Sequence, residues 1–353
     1  MRIAAVGAAF PPHYYDQETL LAALGEHWRA RFFNRDRLEQ LHRNVLVGGR
    51  HLALPIEEYA RLDGFGDSNA AWIRVATDLG EAAVADALAR AGLAARDVGA
   101  IFVVSVTGIA TPSIDARLIN RMGLPTRVKR VPIFGLGCVA GAAGVARAAD
   151  YVKAYPDEIA VLLSVELCSL TIQRDDLSIP NLIASGLFGD GAAAVVVAGD
   201  RRAATLAADG PEIVASRSIF YPDSEGVMGW DIRSSGFQIV LSAEVPQVVE
   251  RYLRADVDVF LADHGLARAD VASWVCHPGG PKVLAAMEQA LEVPRAALAL
   301  TWKSLAEVGN LSSTSVLLVL RETMAAARPP AGSWGMLLAL GPGFCSELVL
   351  LRW

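Results

Sequence analysis

Cysteine is scarce in this chain: four residues in 353, at positions 138, 168, 276 and 345, with no CxxC pair. That spacing excludes a disulfide scaffold and a zinc knuckle, and it fits a reducing compartment. Long apolar runs free of charge or glycine are also missing, so no segment reads as a membrane span. The opening MRIAAVGAAFPP is too short and too poor in positive charge for a signal peptide; it reads as a first strand, and the expected location is the cytoplasm. There is no basic excess. Thirty-two Lys and Arg against 38 Asp and Glu leave a net charge of −6, which argues against a nucleic-acid surface. Low-complexity segments and charged tails are absent too.

What is present is a globular composition, 53% hydrophobic and 20% charged, in a chain long enough for a large core. The stretches EIAVLLSVE (158–166), GAAAVVVAG (191–199), WGMLLAL (334–340) and SELVLLRW (346–353) are continuous apolar runs. Strands of that kind are covered by helices on both sheet faces. The chain also repeats itself. AGLAARDV (91–98) and HGLARADV (264–271) agree at five of eight positions, an offset of 173, and each leads from a helical pattern into a strand. The same offset carries Cys138 to Leu311, beside Asn310 in another turn before a helix. An internally duplicated α/β protein with two related sheets follows, divided near 200–212 into halves 1–205 and 206–353. Equivalent turns of two such halves meet at a central point.

The chemistry-bearing residues lie at those turns. In FGLGCVAGAAG, Cys138 sits between a strand and an Ala-rich helix. A buried Cys packing as a small hydrophobe is one reading. A nucleophile at the positive end of a helix dipole is the other, with a thiol below its ordinary pKa of ~8.5. His277 follows the strand SWVC and precedes PGGPK, at a strand end where α/β folds place ligands. Asn310, in GNLSS, reads either as a helix N-cap or as an amide donor facing Cys138. A thiol, an imidazole and a carboxamide together can take an acyl group as a thioester and hold an enolate formed by loss of CO₂. Such a set calls for no metal and no cofactor.

These three stretches, with LFGDGAAAVV (187–196), VKRVPIF (128–134) and GMLLALGPGF (335–344), resemble the type III polyketide synthases, the relatives of chalcone and stilbene synthases. The likeness covers essentially the whole chain, and the length and MGWD (228–231) point to bacterial members. The resemblance implies the thiolase-like fold, a duplicated five-layer αβαβα architecture, and a homodimer. It implies loading of an acyl group from acyl-CoA, extension with malonyl-CoA, and cyclisation in the same cavity. Residue by residue, it makes Cys138 the nucleophile, gives His277 and Asn310 decarboxylation and enolate stabilisation, and makes Phe188 an aromatic gatekeeper. Where plant enzymes carry a second gatekeeper phenylalanine this chain has Ile239, Leu340 replaces a loop phenylalanine, and Thr111 stands where a methionine reaches the partner's cavity. Cys168, Leu170, Thr171 and Ala184 are expected along the cavity wall. Arg43, Arg50 and Lys282, with Gly279 and Gly280, are expected near CoA. Aliphatic Ile239 and Leu340 point to long-chain starters and alkylpyrone or alkylresorcinol products. Trp230 cuts the other way, toward a malonyl-primed aromatic product of the tetrahydroxynaphthalene or phloroglucinol type. A ketoacyl-carrier-protein synthase III shares the fold and the Cys-His-Asn set but places its His in a different sequence context. A thiolase would need a second catalytic cysteine, for which Cys345 lacks the glycine-rich setting. A scaffold that had lost its chemistry would lack one of the three residues.

Overall fold

The computed structural model describes residues 1–28, 34–207 and 209–353. The continuous apolar runs become the innermost strands: Ile159–Leu167 and Asp190–Ala198 are buried along their whole length. They belong to one nine-stranded sheet. From one edge the order is Val271–Cys276, Trp334–Gly341, Cys345–Arg352, Glu212–Phe220, Arg2–Ala9, Asp190–Ala198, Ile159–Leu167, Val98–Val104 and Lys129–Ile133. Read inward from Val271–Cys276, the pairings run parallel, antiparallel, antiparallel. Read inward from Val98–Val104, they do the same. The duplication expected from the sequence is therefore a duplication of topology. The two related sheets are hydrogen-bonded into one at a single register pair, Arg2 with Glu212.

The offset of 173 persists in detail. Short turns at Ala95–Asp97 and Arg268–Asp270 precede the strands that start at Val98 and Val271. In each, the aspartate carboxylate accepts from the backbone N–H three residues earlier, at 2.9 Å for Asp97 and 2.8 Å for Asp270. The helices Ala140–Ala154 and Ser313–Ala326 obey the same spacing.

Those two helices pack together between the half-sheets and share one core with both. The long helix Gly64–Arg90 covers the outer face of the first half, burying Ala76, Ala83, Val84 and Ala87. Helices Val245–Ala262 and Pro281–Leu291 cover the outer face of the second. Helix, sheet, helices, sheet, helices: this is the five-layer arrangement. Among the described residues no helix is long and apolar enough to cross a membrane.

The central pair of helices crosses at a glycine. A Cβ on Gly141 would overlap the carbonyl oxygen of Ser313 and crowd Val316. Alanine there gains ~1 kcal/mol of helix propensity but forces two backbones apart. We expect Gly141→Ala to lower unfolding stability by about 1–3 kcal/mol in urea titrations. Gly25→Ala, where no described residue outside its own helix lies within 4 Å of the new Cβ, should raise it by ~0.5–1 kcal/mol. Equal effects at the two sites would refute the close approach.

Candidate active site

The strand Lys129–Ile133 ends before Phe134, and the chain turns at Gly135 (φ +98°) and Gly137 (φ +55°) into a single 3₁₀ turn, Gly137–Val139. The left-handed backbone at Gly137 also leaves room for Pro342, whose Cδ would lie 2.6 Å from any Cβ there. Cys138 is thus held one turn ahead of the helix Ala140–Ala154, 7% exposed, and its thiol donates to Ser312 Oγ at 3.6 Å. Ser312 comes from the other half, in the turn that the duplication pairs with Cys138. It holds a left-handed conformation, φ +48°, directly before the helix Ser313–Ala326.

Asn310 lies two residues upstream, 2% exposed. Its side-chain oxygen accepts from Ser312 N at 2.8 Å, and its amide nitrogen donates to Gly279 O at 3.3 Å. Its backbone bonds with Leu187 and Gly189 form a parallel bridge beside Phe188. The N-cap reading is corrected: the residue before the helix is Ser312, and Asn310 serves the turn. Its amide instead ties the histidine loop to the cysteine turn and to the Phe188 position.

His277 follows the strand Val271–Cys276, with its N–H on Leu338 O at 2.9 Å. It is 2% exposed, and neither ring nitrogen has a hydrogen-bond partner among the described residues. Buried polar atoms are nearly always paired, and an imidazole with neither nitrogen committed to another described residue is the candidate here for proton transfer or for holding a substrate oxygen. Burial pushes its pKa down to about 3. Burial also pushes the Cys138 thiol up to about 12, against the small lowering by Ser312. The thiol expected to sit low is therefore raised in the resting cavity: desolvation of a thiolate outweighs a helix dipole worth ~0.3–1 kcal/mol.

The remaining candidates divide. Phe188 is half-buried beside Asn310, and Ala184 lies on the helix Ile179–Leu187 that leads to it. Cys168, Leu170 and Thr171 are buried in one turn, where the Thr171 hydroxyl donates to Cys168 O at 2.8 Å. Leu340 is buried at the end of Trp334–Gly341. Ile239 sits in the hairpin Met228–Arg233/Gly236–Leu241, directly opposite Trp230. Gln173 fastens that hairpin beside the cavity-wall turn, donating to Thr171 O at 3.1 Å and Phe237 O at 3.2 Å. Thr111 is exposed. Gly280 precedes the helix Pro281–Leu291, and Lys282 is exposed on its first turn.

Arg50 is a correction. It is 2% exposed and donates to Ser185 O, to Gln17 and to Gly186 O (2.8 Å), with Asp190 nearby. A guanidinium spent on buried carbonyls braces the helix Ile179–Leu187 and cannot greet CoA. Arg43 is exposed and pairs with Glu39 at 3.5 Å.

Sequence reasoning missed two residues. Ser312 was one position from the place the repeat marks. Glu166 is an acid inside the continuous apolar strand Ile159–Leu167, a signal visible in SVEL. It accepts from Ser105, Thr107 (2.9 Å), Val106 N (3.1 Å) and Ser313. Burial raises its pKa despite four donors.

Two halves that each present a turn to one buried point, a thiol from one and an imidazole and a carboxamide from the other, follow the plan of condensing enzymes of the thiolase type. The chain belongs to the chalcone and stilbene synthase family, whose N-terminal domain matches residues 1–201 and whose C-terminal domain matches 212–353. It is similar to a 1,3,6,8-tetrahydroxynaphthalene synthase of Streptomyces peucetius subsp. caesius, 53% identical over 99% of this chain and 93% of that one. It is also similar to a phloroglucinol synthase of Pseudomonas fluorescens, 32% identical over 98% and 97%. The crystal structure of the 1,3,6,8-tetrahydroxynaphthalene synthase of Streptomyces coelicolor A3(2), a bacterial type III polyketide synthase, matches with a TM-score of 0.94 at 32% identity, covering 100% of this chain and 99% of that one. This protein is a type III polyketide synthase, an acyltransferase that condenses malonyl-CoA with an acyl-CoA.

Burial of neutral imidazoles has a pH consequence. His277 in the folded state titrates at about 3 and His42 at about 4, against ~6.5 unfolded. Between pH 6.5 and those values the unfolded chain binds more protons, so this stabilisation is complete above 6.5 and is lost on acidification. Asp190, raised to about 6 by burial, works in the opposite direction below pH 6. The His277 contribution is isolated by comparison with His277→Gln. The slope of unfolding free energy between pH 6 and 4 should differ by ~1.4 kcal/mol per pH unit between the two proteins. Identical slopes would show that His277 is protonated in the fold.

Proposed function

We propose that this synthase builds its product from malonyl units alone and closes it to a hydroxylated naphthalene. The observation that carries this reading is the hairpin pair of Trp230 and Ile239, fastened beside the Cys168–Thr171 turn. An indole at that place takes up the room that an aliphatic Ile239 would otherwise leave for an alkyl chain. The 53% identity to a tetrahydroxynaphthalene synthase supports the same product.

In the proposed mechanism the Cys138 thiol gives its proton to an open nitrogen of His277 as it attacks the thioester carbonyl. The thiolate takes the acyl group, and CoA leaves as the thiol. Malonyl-CoA then places its thioester oxygen between the His277 N–H and the Asn310 amide. Loss of CO₂ leaves its electron pair on the α-carbon as an enolate held by those donors, with no proton to remove. The enolate attacks the acyl-cysteine and frees the thiolate for the next round. The half 1–205 supplies the nucleophile and the half 206–353 the donors. Lys282, exposed on the turn after Gly279 and Gly280, meets the CoA phosphates at the mouth.

The proposal includes a cytoplasmic homodimer. Ile109 and Phe134 are 47% and 48% exposed, Thr111 is exposed too, and the edge strand Lys129–Ile133 has one side unpaired among the described residues. Apolar side chains at an open sheet edge are what a second copy covers.

Mass spectrometry of products from malonyl-CoA alone, against hexanoyl-, lauroyl- and palmitoyl-CoA starters, tests the product. A tetrahydroxynaphthalene without added starter is the expected result, and kcat/KM that rises with chain length would overturn the reading. Trp230→Ala should raise kcat/KM for lauroyl-CoA about tenfold, equivalent to about two further buried methylenes at ~0.8 kcal/mol each.

Asn310→Ala should slow malonyl-CoA decarboxylation by about 10²–10³ while Cys138 still takes up a radiolabelled acyl group. His277→Gln should cut iodoacetamide labelling of Cys138 at pH 7 at least tenfold. Unchanged labelling would show that another group takes the thiol proton.

A further inference from the structure

A second cleft, of about 640 Å³, opens on the far side of the loop that backs the cysteine turn. Cys138, His277, Asn310 and Phe188 do not line it. Its walls are Tyr221, Ser224, Glu244, Gln247, Arg251 and Tyr252, and its size is that of an ordinary small-molecule site.

The cleft is joined to the reaction centre by a short chain of contacts. Three aromatic rings form a stack leading inward: Tyr252 on Tyr221 (centroids 4.7 Å, 18°), and Tyr221 on Phe344 (6.1 Å, 27°). Tyr221 N–H donates to Phe344 O at 2.9 Å, Phe344 N–H donates to Ser224 Oγ, and Ser224 donates back to Tyr221 O. The Tyr221 hydroxyl is anchored on Asp256 (2.6 Å) and Ser346 (3.1 Å). From Phe344 the loop runs back through Pro342 to Gly341. Pro342 abuts Gly137, and a Cβ on Gly341 would sit 2.6 Å from Val139 N. A change in how Tyr221 and Tyr252 stack is therefore felt at both residues that flank Cys138.

The walls also define a ligand. The Tyr252 ring, already stacked on Tyr221, carries the Arg251 guanidinium 5.0 Å from its centroid. Arg251 makes no ion pair among the described residues. The Glu244 carboxylate lines the cleft as a partner for a hydroxyl group, while the Gln247 amide donates to the Glu244 and Ala243 carbonyls at 2.9 and 3.0 Å. A flat ring that carries hydroxyls satisfies both open groups at once: a π-face for the guanidinium, and an O–H for the carboxylate.

We propose that this cleft binds planar polyphenols, and that occupancy slows turnover through the 341–345 loop, so that the product class restrains its own synthesis. The identification of the ligand with the product rests on the proposed function above; the site itself does not.

The test uses the whole enzyme and 2,7-dihydroxynaphthalene as the probe. Steady-state consumption of malonyl-CoA should show a kcat that falls with probe while KM holds. The inhibitory concentration should rise at least tenfold in Arg251→Ala and in Tyr252→Leu. Hydrogen exchange of the unmodified enzyme covers the case in which a variant fails to fold: probe should protect residues 221–227 and 344. A KM that rises at constant kcat, protection confined to the surroundings of Cys138 and Phe188, or no binding would overturn the proposal. The two readings fail separately. Probe binding at the cleft with an alkylpyrone as product would sink the product assignment alone, and a naphthalene product with an indifferent cleft would sink only the cleft.

Discussion

Everything at the reaction centre depends on how closely two helices approach. The helices Ala140–Ala154 and Ser313–Ala326 meet in the middle layer because Gly141 has no side chain to hold Ser313 away. Each helix is preceded by its own tight turn, so the contact sets the two turns face to face. Cys138 then meets Ser312, and Asn310 comes within reach of the histidine loop. One methyl group at residue 141 would separate Cys138 from Ser312 and Asn310 without touching any of them.

Around that contact the protein builds an apolar enclosure with few polar groups. Glu166 is saturated with donors, Arg50 is spent on carbonyls, and Thr171 is turned onto its own backbone. His277 stands apart, with both ring nitrogens open. In a dry cavity an unpaired nitrogen is costly, and the cost falls when a substrate oxygen or a thiol proton arrives. Burial keeps the thiol and the imidazole neutral at rest.

The strands and the duplication were legible along the chain, as were the turns at Cys138, His277 and Asn310 that the fold brings together. Continuous apolar runs such as IAVLLSVEL report burial on both faces directly, and an offset of 173 survives because both halves keep the same turn chemistry, as Asp97 and Asp270 show. The reading of Arg50 failed for a physical reason. A basic residue near a glycine pair looks the same in sequence whether it faces phosphate or buried carbonyls, and burial alone separates them. Ser312 and Glu166 escaped because a serine in a turn and one acid in a strand carry no periodic signal.

The sequence by itself determined the family, the layers and the chemical groups that the centre contains, because local pattern and residue type are properties of the chain. Only the tertiary structure decided their electrical state and their neighbours. The sequence places Cys138 at a helix start and so argues for an acidic thiol; the folded cavity removes water from it and pushes the thiol the other way. It also decided that the aromatic stack of Phe344, Tyr221 and Tyr252 connects the loop behind Cys138 to an outer cleft. Those residues lie up to 123 positions apart, and no local pattern in a chain encodes a contact across that distance.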